Sequence, residues 1–272
     1  MLPDTNEPSA RTDPAAHAAG HRTSTTPAGV AALPNGPDRD DRLAELYAWP
    51  DTTDRPFVRA NMIASLDGGT TVEGRSAGLG NPQDEHLFTL LRDLAEVILV
   101  GAGTVRAERY GGIRLDAERA ARRERWGLPV TPPPIAVVTA RGLDPQSPLF
   151  TDTETPPIVI TTERAAGLVP DGVLVITAGV DRVSPRAAVN ALGADGYRRV
   201  QCEGGPALLA ALIDADLVDE CCLTIAPLLL GTGGTPLLPM RVDDAVRWEL
   251  AAVRVGDNHL FTRYHRTAPA SR

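Results

Sequence analysis

Residues 197–220 read YRRVQCEGGPALLAALIDADLVDE. Residues 200–202 form a short apolar strand, Glu203-Gly204-Gly205 a tight turn, and Pro206 the first residue of a helix. Proline loses no needed donor at that place, because the first N–H groups of a helix have no internal partner. The two glycines let the main chain pass close to whatever sits at the helix end. That end offers free N–H groups and a partial positive charge, the chemistry that holds a phosphate. Glu203 stands beside this anion site, where a carboxylate costs energy unless it has a partner or a task of its own. A plain strand–turn–helix joint explains the stretch equally well if it occurs only once.

It occurs twice. Residues 97–100 (VILV) are a continuous apolar run, the pattern of a strand buried on both faces. They end in Gly101-Ala102-Gly103-Thr104, and the chain is expected to turn into a helix at Val105. The third glycine of a dinucleotide fingerprint is replaced by Arg106, and no strand with a terminal acid follows, so a Rossmann domain is a poor fit. Further strands are expected at 57–65, 135–139, 158–162, 174–177 and 220–226, with a closing antiparallel hairpin, 248–255 and 259–265, through Gly256-Asp257-Asn258. Asn81, Pro82, Asp84 and Glu85 open a helix whose Leu87, Phe88, Leu91 and Leu94 face the core, and Ser184 caps another. The fold class is α/β: a central, mostly parallel sheet with an antiparallel C-terminal hairpin, flanked by helices. In such sheets a ligand lies beyond the carboxyl ends of the strands. Two glycine joints can hold two phosphate-bearing parts of one ligand, and NADPH fits, with Thr139, Arg141 or Thr162 adding specificity.

Outside this frame, residues 1–40 are rich in Pro, Ala, Thr and Ser and are expected to be disordered. A short amphipathic helix is expected at 40–49, packing on the domain or on a partner, and one folded domain over 56–266. Arg119, Arg122, Arg123 and Arg125 are expected to form a solvated helix face. A net charge of −8 argues against a general nucleic-acid or membrane-surface binder. All 27 basic residues other than histidine are arginine, suited to fixed phosphate or carboxylate contacts. Cys202, Cys221 and Cys222 make no C-x-x-C pair and read as core, and the five histidines lack metal-site spacing. With no apolar run long enough to span a membrane and no leader pattern, the expected location is cytoplasmic.

Four blocks in order, FVRANMIASLDGGTTVEG (57–74), LLRDLAEVILVGAGTVRAE (90–108), CEGGPALLAALIDADLVDE (202–220) and LTIAPLLLGTGG (223–234), resemble the riboflavin-biosynthesis pyrimidine reductases of the RibD C-terminal type. These share the dihydrofolate-reductase fold. The resemblance implies an NADPH-dependent enzyme, a homodimer, that reduces the ribosyl group of a ribosylaminopyrimidine 5′-phosphate to ribityl. It implies that Ile63, Ala64 and Gly78 line the nicotinamide, and that Gly101, Gly103 and Thr104 hold the cofactor with Glu108 nearby. Gly204, Gly205, Pro206, Ala207 and Leu208 would take the diphosphate. On the substrate side it implies Asn61, Ser76, Glu203, Arg92 and Arg114, the two arginines on the 5′-phosphate. Asp67 either moves a proton or fixes its loop. Without the motif, Arg92 reads as a solvated residue pairing with Glu96.

Three positions depart from the family pattern. Asn61 stands where bacterial bifunctional reductases carry lysine, Glu108 where aspartate is usual, and the run to the second arginine is ERYGGIR, one residue short. All three fall on the substrate side. A reductase of dihydrofolate or another pterin, or an NADP(H)-binding protein without catalysis, therefore stays open beside the main expectation.

Overall fold

The computed structural model describes residues 30–50, 54–239 and 245–267. The chain runs β1 (Ala31–Ala32), α1 (Arg39–Leu46), β2 (Phe57–Ser65), α2 (Pro82–Asp93), β3 (Val97–Gly101), α3 (Ala102–Glu108) and α4 (Ala117–Arg125). It continues through β4 (Ile135–Val138), α5 (Pro148–Thr151), β5 (Ile158–Thr161), β6 (Leu174–Thr177) and α6 (Pro185–Ala194). The last elements are β7 (Arg199–Cys202), α7 (Pro206–Asp214), β8 (Glu220–Ala226), β9 (Trp248–Gly256) and β10 (His259–Arg266). Among the described residues the strands form one ten-stranded sheet in the order β1-β9-β10-β8-β2-β7-β3-β4-β5-β6. Only β10 runs antiparallel to its neighbours, β8 and β9. This is the mostly parallel sheet with a closing hairpin that the sequence implies.

The alternation of β3 explains why its sequence is apolar throughout. Val97 and Leu99 join the core under α6 and α7, whereas Ile98 and Val100 join the opposite core with Leu87, Leu90 and Leu91 of α2. Both caps read from sequence form: the Asn81 side chain accepts from the Asp84 N–H at 2.9 Å, and that of Ser184 from the Ala187 N–H at 3.3 Å. Asp257 and Asn258 turn the β9–β10 hairpin with φ of 44° and 65°, the two left-handed residues that a tight hairpin needs. The second helix joint tightens earlier than expected, since α3 begins at Ala102 rather than Val105.

Two expectations are corrected. The folded part begins before Pro56: Leu33, Leu43, Tyr47 and Trp49 are buried in the α2-side core. The carbonyls of Leu46 and Ala48 accept from Arg263 and Arg59, and the Arg59 guanidinium lies 4.0 Å from the Trp49 ring centroid. Residues 1–29, also expected to be disordered, lie outside the described residues. Nor is the arginine-rich helix α4 a solvated face. Arg119 grips the buried Asp93 at 2.6 Å, Arg122 pairs with Asp40 and Asp93, and Arg123 donates to the carbonyls of Asp93, Ala95 and Pro129. Arg125 alone of the four is more than half exposed.

Candidate active site

Strands β7 and β3 are neighbours, so their glycine joints lie side by side at the carboxyl edge of the sheet. The Gly101 N–H donates to the Gly204 carbonyl at 2.8 Å and ties the joints together. Gly204 turns at φ 73°, the left-handed region that favours glycine, and a Cβ at Gly205 would fall 2.6 Å from Thr104 Oγ1, so a side chain there would have to displace the threonine hydroxyl. Gly205 places no side-chain cap on α7, and the first N–H groups of that helix stay available.

Two cavities flank this seam. One, of about 390 Å³, is lined by Gly101, Gly103, Thr139, Arg141, Ala207 and Leu208, with Arg106 at its wall. The other, of about 480 Å³, is lined by Asn61, Ile63, Ser76, Thr104, Glu108 and Arg92, and also by Tyr110, Glu203, Gly205 and Pro206. Most of the residues singled out in the sequence thus line one of the two cavities.

Glu203 is the centre of the larger cavity. Its buried carboxylate accepts from Arg92 Nε and Nη2, each at 2.7 Å, and from the Tyr110 hydroxyl at 2.7 Å. Arg92 therefore pairs with Glu203, not with Glu96. Burial alone would pull the Arg92 guanidinium down, but the Glu203 carboxylate outweighs it and holds its pKa above the usual range. Burial, with Glu203 next, pushes the Tyr110 hydroxyl well up, so it stays protonated and donates. Arg92 also lies over the rings of Phe88 and Tyr110, at 4.3 and 5.1 Å. The guanidinium is fixed along its Nε–Nη2 edge, and Nη1 takes no part in the bonds to Glu203.

Glu108 anchors the rim, accepting from the Ser76 N–H at 2.7 Å. Tyr110 and Asp84 were not singled out as site residues in the sequence. Tyr110 sits inside the irregular ERYGGIR run, and Asp84 reads as an ordinary first-turn acid. Burial pushes the Asp84 carboxyl up, against a bond from Thr224.

Other expected residues lie elsewhere. Asp67 is not among the residues lining either cavity: its carboxylate accepts from the Leu230 and Gly231 N–H groups and from the Ser65 hydroxyl. Ser65 first, then those N–H groups, hold its pKa below the ordinary carboxylate range, which suits a loop clamp and not a proton donor. Arg114 is exposed and pairs with Asp152 and Glu154, outside both cavities. Gly78 packs on Val72, Ala64 is buried in the sheet, and Thr162 caps the turn at Ala165. Burial pushes the Cys202 and Cys221 thiols up to about 12, in keeping with core roles.

Residues 56–262 match the family model of the RibD C-terminal domain. The chain belongs to that family. Among its relatives, the 2,5-diamino-6-ribosylamino-4(3H)-pyrimidinone 5′-phosphate reductase of Archaeoglobus fulgidus is 30% identical over 187 residues, covering 67% of this chain and 85% of that protein. The enzyme of the same name from Methanothermobacter thermautotrophicus is 28% identical over 186 residues, 65% of this chain and 80% of that one. A pyrimidine reductase-like protein of Corynebacterium diphtheriae superposes with a TM-score of 0.71 at 28% identity, covering 84% of this chain and 99% of that one. The RibD C-terminal match begins at residue 56, so the segment 30–50, which sends Leu33, Leu43, Tyr47 and Trp49 into the core, lies outside the part that the family model describes.

Proposed function

We propose that this chain is an NADPH-dependent reductase that converts the ribosyl group of a ribosylaminopyrimidine 5′-phosphate to ribityl, as the named archaeal relatives are reductases of such a compound. The observation that carries the reading is the pair of cavities meeting at one glycine seam, with a buried, pre-paired Glu203 on the larger side. The smaller cavity suits the adenosine end of NADPH. Arg106 and Arg141 line it, and neither side chain has a hydrogen-bond or ion-pair partner among the described residues. Free guanidinium groups of this kind match a 2′-phosphate. Gly205 to Leu208, with uncapped N–H groups and no Cβ at the turn, form a cradle for the diphosphate.

When bound, NADPH supplies the hydride that reduces C1′ of the opened sugar. The protein supplies geometry and charge. Ile63, Thr104 and Gly205 form the wall where the nicotinamide would rest, and Glu203, held by Arg92 and Tyr110, presents a fixed anionic edge to the substrate. Asn61 and Ser76 add polar contacts on the same wall. The reading includes a cytoplasmic homodimer; Leu66, Leu228 and Leu229 are exposed next to one another and suit a second copy, which a measured molecular mass tests.

A second reading has its own support. Asp84, Glu85, Glu108 and Glu203 make the larger cavity rich in carboxylates, which suits the amino edge of dihydrofolate or another pterin. Following NADPH oxidation with each substrate decides between them. Turnover of the ribosylaminopyrimidine phosphate is expected; turnover of dihydrofolate alone reverses the assignment, and no response of the protein to NADPH in a fluorescence titration removes both.

A further inference from the structure

The family motif places a substrate phosphate on Arg92 and Arg114, but in this chain Arg114 is drawn away. Gly112 is pressed against the segment that follows α5: its N–H donates to the Asp152 carbonyl at 2.8 Å, and a Cβ there would lie 2.3 Å from Thr153 Oγ1. Ile113 is then buried, and Arg114 emerges beside Asp152 and Glu154, which take its guanidinium. The shortened ERYGGIR run has no slack to bring it back. Arg92, for its part, already spends Nε and Nη2 on Glu203.

One other cation lines the larger cavity. Arg109 ends α3 in the left-handed region, φ 53° and ψ 51°, a place glycine usually occupies. That turn brings the consecutive residues 108–112 onto the cavity wall, with Tyr110 reaching Glu203. The Arg109 side chain is exposed, and among the described residues it has no hydrogen bond, ion pair or ring contact. In a protein of net charge −8, whose arginines at Arg59, Arg92, Arg114, Arg119, Arg122 and Arg263 are all matched to carboxylates, an exposed arginine without a partner among the cavity-lining residues is available for a ligand anion.

We propose that Arg109, and not Arg114, anchors the 5′-phosphate of the sugar substrate, with the open edge of Arg92 as its second contact. This rests on the reductase reading, and it makes the phosphate contact of this chain one that the motif would assign elsewhere.

The test uses the full chain saturated with NADPH and ribose 5-phosphate as the probe, with binding followed by calorimetry. Arg109→Ala is expected to weaken ribose 5-phosphate binding about tenfold or more, as loss of a charge-assisted contact does, while Arg109→Lys keeps part of it and Arg114→Ala stays within about twofold of the parent. Ribose without phosphate should bind the parent and Arg109→Ala alike. A loss on Arg114→Ala with none on Arg109→Ala overturns the proposal, as does absence of ribose 5-phosphate binding to the parent. Turnover of the ribosylaminopyrimidine phosphate is read separately: phosphate binding that depends on Arg109, with no turnover, keeps the anchor and removes the reductase reading.

Discussion

Glu203 and Glu220 are both buried carboxylates gripped by guanidinium groups, and they sit at opposite ends of the strands that flank β2. Glu203 follows the last residue of β7, and Glu220 is the first residue of β8. Around Glu220 the partners are Arg59, Arg263 at 2.7 Å and His265 at 3.0 Å, with the Trp49 ring against Arg59. Around Glu203 the partners come from α2 and from the turn after α3, and their free edges open on a cavity. The chemistry of the two pairs is alike, and both border a cavity: Glu220, Arg263 and His265 line one of about 540 Å³, Glu203 and Arg92 one of about 480 Å³. The difference is that the Glu203 cavity is also walled by Gly205 and Pro206 of the glycine joint. Ion pairing in a core, even beside a cavity, is therefore weak evidence of a site, and the uncapped helix start next to Glu203 is what separates the two.

Replacing each carboxylate separates the two roles. Glu220→Gln leaves Arg59 and Arg263 buried without a counter-charge, and unfolding in urea should show a loss of about 3–5 kcal/mol. Turnover of the folded fraction should be retained; a folded but inactive variant would break the comparison. The loss also depends on pH. Burial pushes the Glu220 carboxyl up, but Arg59 and Arg263 outweigh it, so its folded pKa lies below the ordinary value. Its stabilisation is thus present above the unfolded carboxylate pKa of about 4.3 and is lost as pH falls through the lower folded value. The gap between parent and Glu220→Gln should shrink in acid, and a gap that widens there contradicts the assignment.

Glu203→Gln should lower kcat/KM about 100-fold or more, with NADPH affinity nearly unchanged in a fluorescence titration. Equal loss of both would make Glu203 structural, like Glu220. Tyr110→Phe removes one bond to the same buried carboxylate, and about a tenfold fall in kcat/KM is expected together with a loss of about 1.5–3 kcal/mol in unfolding free energy. A fall in stability without one in kcat/KM would move Tyr110 to the structural side. Asp67→Asn is the mildest, within about twofold in kcat, because Asp67 clamps the 228–234 loop away from the cavity. A collapse of kcat with normal NADPH binding would restore it to the chemistry.

Much of the arrangement was legible because it is written in local chemistry. Pro206 after two glycines announces a helix start, Asn81 and Ser184 announce caps, and the unbroken VILV run announces a strand covered on both sides. What failed was long-range. The burial of Leu43, Tyr47 and Trp49 needs α2 and the carbonyl contacts of Arg59 and Arg263, none of them near in sequence. Arg122 and Arg123 read as solvent-facing because Asp93 and the carbonyls that hold them come from the end of α2 and from residues 95 and 129.

By itself the sequence determined the two glycine joints and, through the order of four blocks, the family; backbone turns and helix starts depend on a few adjacent residues, which the chain carries wherever it folds. Only the tertiary structure decided which charges meet. It set Arg92 and Tyr110 on Glu203, sent Arg114 to Asp152, and left Arg109 unmatched, because a charge finds its partner by distance in space, and that distance is fixed only when α2, the turn after α3 and β7 are packed together.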